Sequence, residues 1–197
     1  MFRIFAMCLE AGIAAVVLIP LFLMLNRHYF RNSRRSICCL LFSLYLAAVD
    51  AVVGLPSLLS VRFDVHVNLI PFAYMFSDYG NSLLNVLLFI PLGFFLTVLW
   101  KQFRSFFRTA AFGLFFSLMI ELLQLFTRRA TDVNDLITNT VGTVLGWCLG
   151  RVLLKCFPSL KPSERIQEVA VVFGVTFAVM FLVQPFLAEL VWRFVTR

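Results

Sequence analysis

Charge is scarce in this chain: only 14% of its 197 residues are Asp, Glu, Lys or Arg, against 61% apolar residues. Soluble globular domains carry about a quarter charged residues, so a composition this poor in charge excludes one and points to an integral membrane protein. Histidine is rarer still, with two residues. His28 and His66 fall on opposite sides of the membrane in the topology read below, which argues against a two-histidine site. The five cysteines, Cys8, Cys38, Cys39, Cys148 and Cys156, lie in or beside apolar segments and form no metal-ligand spacing with histidine. They read as small apolar filler. No Ser or Cys nucleophile with a His partner is visible, and no dense metal-ligand motif; both weigh against an enzyme, and no cofactor is expected. No basic domain interleaved with aromatics offers a nucleic-acid surface, and no half-to-half repeat of the kind found in transporters is evident.

What is abundant is uninterrupted apolar sequence. Six stretches stand near the roughly 20 residues that a membrane-spanning helix needs: Ile4 to Leu25, Ile37 to Leu55, Leu83 to Trp100, Phe106 to Phe126, Leu136 to Phe157 and Val169 to Val195. The first is long, lacks a small-residue cleavage site and is followed by further spans, so it reads as a helix and not as a signal peptide. The expectation is an all-α, polytopic transmembrane helix bundle of five to six spans, with residues 1–197 forming a single membrane domain. The loop before the third span, with Asn68-Leu-Ile-Pro71-Phe72 and Tyr74 to Asn81, is rich in aromatics and poor in charge, which suits a short segment lying at the interface.

Basic residues alternate between loops. Arg27, Arg31, Arg34 and Arg35 follow the first span, Lys101, Arg104 and Arg108 the third, and Arg151, Lys155, Lys161 and Arg165 the fifth. The opposite loops and ends hold Arg3, Arg62, Arg128, Arg129, Arg193 and Arg197 together with Asp64, Asp78, Asp132 and Asp135. By the positive-inside rule both termini are expected outside. The net charge of +7 then reflects topology and attraction to anionic lipid at the inner leaflet.

Against this background one polar run stands out. Glu121, Gln124, Arg128, Asp132, Asp135 and Asn139 follow one another at spacings of three or four residues across the end of the fourth span and the start of the fifth. Polar groups are expensive in lipid, so their crowding at one membrane face marks a functional candidate. Glu121 lies five residues before the outer end of its span, roughly 7 to 8 Å deep at the helical rise; Asn139 and Asn85 stand near the outer ends of theirs. Glu121, Gln124 and Arg128 share one helical stripe, as do Asp135, Asn139, Gly142 and Gly146. Gly142, Gly146 and Gly150 form overlapping small-xxx-small spacings that are expected to press the two polar stripes together. Pro91 should kink the third span, with Gly93 easing close contact. The structural alternative is an ion-paired turn, with Glu121 bonded to Asn139 to hold the helices in register. Asp50, Glu10 and Glu189 are further carboxyl groups in spans without comparable partners.

Taken in order, Asn68-Leu-Ile-Pro-Phe, Asn85-x3-Phe-Ile-Pro-Leu-Gly-Phe, Ser117-x3-Glu121-x2-Gln124 and Arg128/Arg129-x-x-Asp132-x-x-Asp135-x3-Asn139-x2-Gly142 resemble the motifs of the VanZ-like membrane proteins, over about residues 37–155. The resemblance implies a bacterial cell membrane location and, from the family's founding member, low-level resistance to the glycopeptide teicoplanin by a route that leaves the peptidoglycan stem unchanged. Arg128-Arg129 doubles the family's basic position. The expected site is an outward-facing ligand pocket of Asn68, Asn85, Glu121, Gln124, Arg128, Arg129, Asp132, Asp135 and Asn139. Its partners would be membrane lipids and an acylated polar molecule: a lipoglycopeptide or a lipid-linked wall precursor. An arginine would hold an anionic group and the amides would direct hydrogen bonds. Two other classes stay open: an enzyme using Glu121 and Asp135 as acid and base or as ligands of a divalent metal, and a transporter with Asp50 and Glu121 on its path.

Overall fold

In hydrocarbon every backbone N–H and C=O must be paired within the protein, and a helix does this within one segment. The structure, a computed structural model, describes residues 2–59, 67–68, 79–127 and 131–195. Among them six helical segments are long and apolar enough to cross a membrane. Helix α1 (Phe2–Leu25) runs on into a π turn at Asn26–Phe30 and is followed by α2 (Ser33–Val53). Then come β1 (Val67–Asn68), α3 (Tyr79–Leu99), a 3-10 turn at Lys101–Arg104, α4 (Phe106–Gln124), β2 (Thr131–Asp132) and α5 (Val133–Cys156). The last span joins α6 (Gln167–Ala178) through a π turn at Val179–Val183 to α7 (Gln184–Val195).

All six expected spans are present. Several begin a turn before their apolar run because polar caps belong to the helix although hydropathy ignores them. Asn32 accepts a hydrogen bond from the Arg35 N–H (3.2 Å) to open α2, and Asp132 accepts one from the Asn134 N–H (2.9 Å) to open α5. The expected interfacial segment, at residues 69–78, lies outside the described residues.

The helices gather into two compact units, α1, α2, α6 and α7 in one and α3, α4 and α5 in the other. In the first, Arg35 Nε on α2 donates to Glu168 Oε2 on α6 (2.8 Å), and Arg35 Nη2 joins the same oxygen. Two turns on, Thr176 Oγ1 donates to Ser43 Oγ (2.9 Å), and Phe42 meets Phe173 edge to face.

In the second unit α3 and α5 meet backbone to backbone. A methyl group built on Gly146 would lie 1.9 Å from the Ile90 carbonyl oxygen, and one on Gly93 1.9 Å from that of Thr143. The glycines of α5 were expected to draw it onto α4; they face α3 instead. Helix α4 reaches α5 through its own Gly113, set against the Thr143 side chain. At the opposite end from the polar run, Lys101 N and Ser163 N donate to Ser163 O (2.9 Å) and Leu99 O (2.8 Å), and Lys101 Nζ bridges to Glu164 Oε1 at 2.6 Å.

Candidate functional site

The polar run is assembled at the end of α4 and the starts of α3 and α5. Helix α4 carries Ser117, Glu121 and Gln124 inward at intervals of about one turn, and all three are buried. The Glu121 carboxylate accepts a hydrogen bond from the Asp132 backbone N–H through Oε2 (3.0 Å). Asp132 in turn caps α5. A single buried carboxylate on α4 thus fixes where the next helix starts.

Strand β2 carries this anchoring to the chain before α3. Val67 pairs with Thr131 and Asn68 with Asp132 in a parallel register, so Asn68 enters the site through its backbone. One turn into α5, Asp135 Oδ1 accepts from Asn85 Nδ2 on α3 at 2.7 Å. A turn further on, Asn139 Nδ2 donates to Ser117 Oγ at 2.9 Å. Asn139 is therefore bonded one turn deeper on α4 than Glu121, and its bond is with the serine of the third motif. Its own Oδ1 is buried with no hydrogen-bond partner among the described residues.

The cluster has two layers. Glu121 is 2% exposed, Gln124 5% and Asn139 4%, and these form a buried floor. Asn85, Asp132 and Asp135 are half-buried and form a rim. Charge-assisted bonds to the two aspartates hold the rim in place, while in the floor Asn139 Oδ1 is a buried acceptor. Arg128 and Arg129 lie outside the described residues, and of Asn68 only the backbone is described. Sequence reasoning did not count Ser117 or Asn134 among the site residues, although both are buried in it. The signal for Ser117 was its i, i+4 relation to Glu121 on the same stripe. Asp50, Glu10 and Glu189 belong to the other unit.

A family model described as VanZ/LLP1 matches residues 37–155. Protein VanZ of Enterococcus faecium is 35% identical over 131 residues, which cover 64% of this chain and 77% of that protein. No solved structure matches the chain.

Proposed function

Because this chain belongs to the VanZ/LLP1 family, we propose that it confers low-level resistance to teicoplanin-type lipoglycopeptides by binding an acylated polar ligand at the cluster between α3, α4 and α5. The ligand is the drug itself or a lipid-linked wall precursor, taken from the extracellular side of a bacterial membrane. The observation that carries this reading is the convergence of four separate sequence motifs, through Asn68, Asn85, Glu121 and the Asp132-Asp135-Asn139 run, onto one linked set of hydrogen bonds.

The division of labour follows from burial. Glu121 is spent on the Asp132 N–H and acts as a positioning residue. The half-buried Asn85 and Asp135 stand where a headgroup arrives first. Asn139 Oδ1 is a buried acceptor for an amide or hydroxyl donor. Arg128 or Arg129 supplies the cation for an anionic group, and the acyl chain of the ligand stays in lipid.

The test is the teicoplanin and vancomycin susceptibility of a sensitive bacterium expressing the wild type, Glu121→Gln or Asp135→Asn at matched membrane levels. Protection against teicoplanin but not vancomycin, lost in Asp135→Asn, is the expected result. A wild type that gives no protection would sink the resistance reading.

A further inference from the structure

The unit built from α1, α2, α6 and α7 holds a cavity of about 520 Å³, within the range of small-molecule sites. Two carboxylates line it, Glu10 from α1 and Asp50 from α2. Both are half-buried, and among the described residues neither has a hydrogen bond or ion pair through its side chain. A third carboxylate at the rim, Glu189, is already paired with Arg193 at 2.5 Å.

The wall facing these acids is built by a break in the last span. Pro185 has no N–H, so the Phe181 carbonyl loses its helical partner. The chain opens into the π turn Val179–Val183, and the Leu58 N–H takes up the Phe181 oxygen at 3.2 Å. Such turns recur at functional sites. This one delivers Met180 and Gln184 to the cavity. Gln184 is 7% exposed, and its side chain makes no hydrogen bond to a described residue. A primary amide buried in a span without a partner costs free energy that a ligand can return.

We infer that this cavity binds an organic ammonium ion carried on an apolar body. Two carboxylates without a cation call for positive charge. Among the described residues no group of three or more His, Cys, Asp and Glu could hold a metal ion, which favours a diffuse organic cation. Trp192 lines the same cavity, and an indole is the strongest aromatic partner of an ammonium group, while Met180 and Leu59 would meet the apolar body. None of the described lining residues is Lys, Arg or His, so the phosphate of a zwitterionic phospholipid would go unpaired. The ligand class is therefore an organic ammonium compound without an acidic group. The site shares no residue with the polar cluster of α3, α4 and α5 and stands independently of the function proposed for it.

The full chain in nanodiscs of zwitterionic lipid is titrated with radiolabelled benzyltrimethylammonium, and bound label is displaced with neopentylbenzene, its neutral isostere. One saturable site is expected, undisturbed by the isostere, weakened at least tenfold by Asp50→Asn and by Glu10→Gln, and unchanged in Glu164→Gln. Absence of saturable binding to the wild type, equal displacement by the neutral isostere, or wild-type affinity in Glu10→Gln would overturn the inference. Glu10 makes no side-chain bond to a described residue, so its variant keeps the test decisive even where Asp50→Asn yields little folded protein.

Discussion

Adding one methyl group at Gly142 should loosen both the α3–α5 contact and the polar rim. A Cβ built there lies 2.3 Å from the Val86 carbonyl oxygen and 3.0 Å from the Phe89 Cβ. Ordinary carbon–oxygen contact needs about 3.4 Å, so the helices must part by about 1 Å or strain locally, a perturbation that costs about 1–3 kcal/mol in a close-packed interior. Val86 is the neighbour of Asn85, whose 2.7 Å bond to Asp135 would stretch to about 3.7 Å if α3 moved as a body, beyond hydrogen-bonding distance. The control is Gly174→Ala, since nothing lies within 4 Å of a Cβ at Gly174. There only helix propensity acts, and the exchange is worth up to about 1 kcal/mol in favour of alanine. Thermal melting of both variants in detergent should show Gly142→Ala lowered by several degrees, at roughly 2–4 °C per kcal/mol for a chain of this size, and Gly174→Ala level or raised. A Gly142→Ala protein that melts at or above the wild type would refute the backbone contact between α3 and α5.

Three further outcomes can be measured on the same material. A double-mutant cycle on Asn85→Ala and Asp135→Ala should return a coupling of roughly 0.6–1.7 kcal/mol, the span found for hydrogen bonds between membrane helices; strictly additive losses would mean that the bond contributes nothing. Glu168 is 3% exposed and Arg35 17%, so Arg35→Met alone should cost about 3–5 kcal/mol by stranding a buried carboxylate, and Arg35→Met with Glu168→Leu should recover most of it; melting temperatures decide. In the loop after α5, the Lys101 ammonium holds the Glu164 carboxyl below its ordinary range, so the contribution of this pair is fully present above the unfolded-state pKa and fades as pH falls through the lowered folded value. Titration of Glu164 by carbon NMR should shift upward in Lys101→Met, and an identical curve in both proteins would show that the pair has no influence.

The spans were legible because bilayer thickness sets one length and hydropathy reads it directly. The polar cluster was legible for a related reason, since carboxylates and amides at helical spacing stand out against lipid-facing sequence. The partner of each group was not. The structural alternative bonds Asn139 to Glu121, but depth read from the ends of apolar runs is uncertain by about a turn, and one turn separates Glu121 from Ser117, which Asn139 meets. The face of the α5 glycines was missed by one residue of rotation. Asn139 and Thr143 meet Ser117 and Gly113 on α4, whereas Gly142 and Gly146 meet Val86 and Ile90 on α3, and successive helix positions differ by about 100°. The β1–β2 pairing had no pattern to find, because two residues per strand are too few to alternate.

The placement of Glu121 explains why an acidic residue is kept where lipid makes it costly. Strand β2 leads into α5, and the N-terminus of a helix leaves N–H groups without helical partners. Asp132 takes the Asn134 N–H with its side chain, which leaves its own N–H to be satisfied, and Glu121 does so. The two carboxyl groups act in sequence along one turn, each accepting from one backbone N–H at the start of α5. With α5 anchored in this way and Asp135 bonded to Asn85, the ligand proposed for the cluster would meet these two residues in one fixed geometry. A group already ordered loses less entropy on binding than a loose one. In the binding function proposed for the cluster, Glu121 therefore builds the site, and Asn85 and Asp135 would meet the ligand.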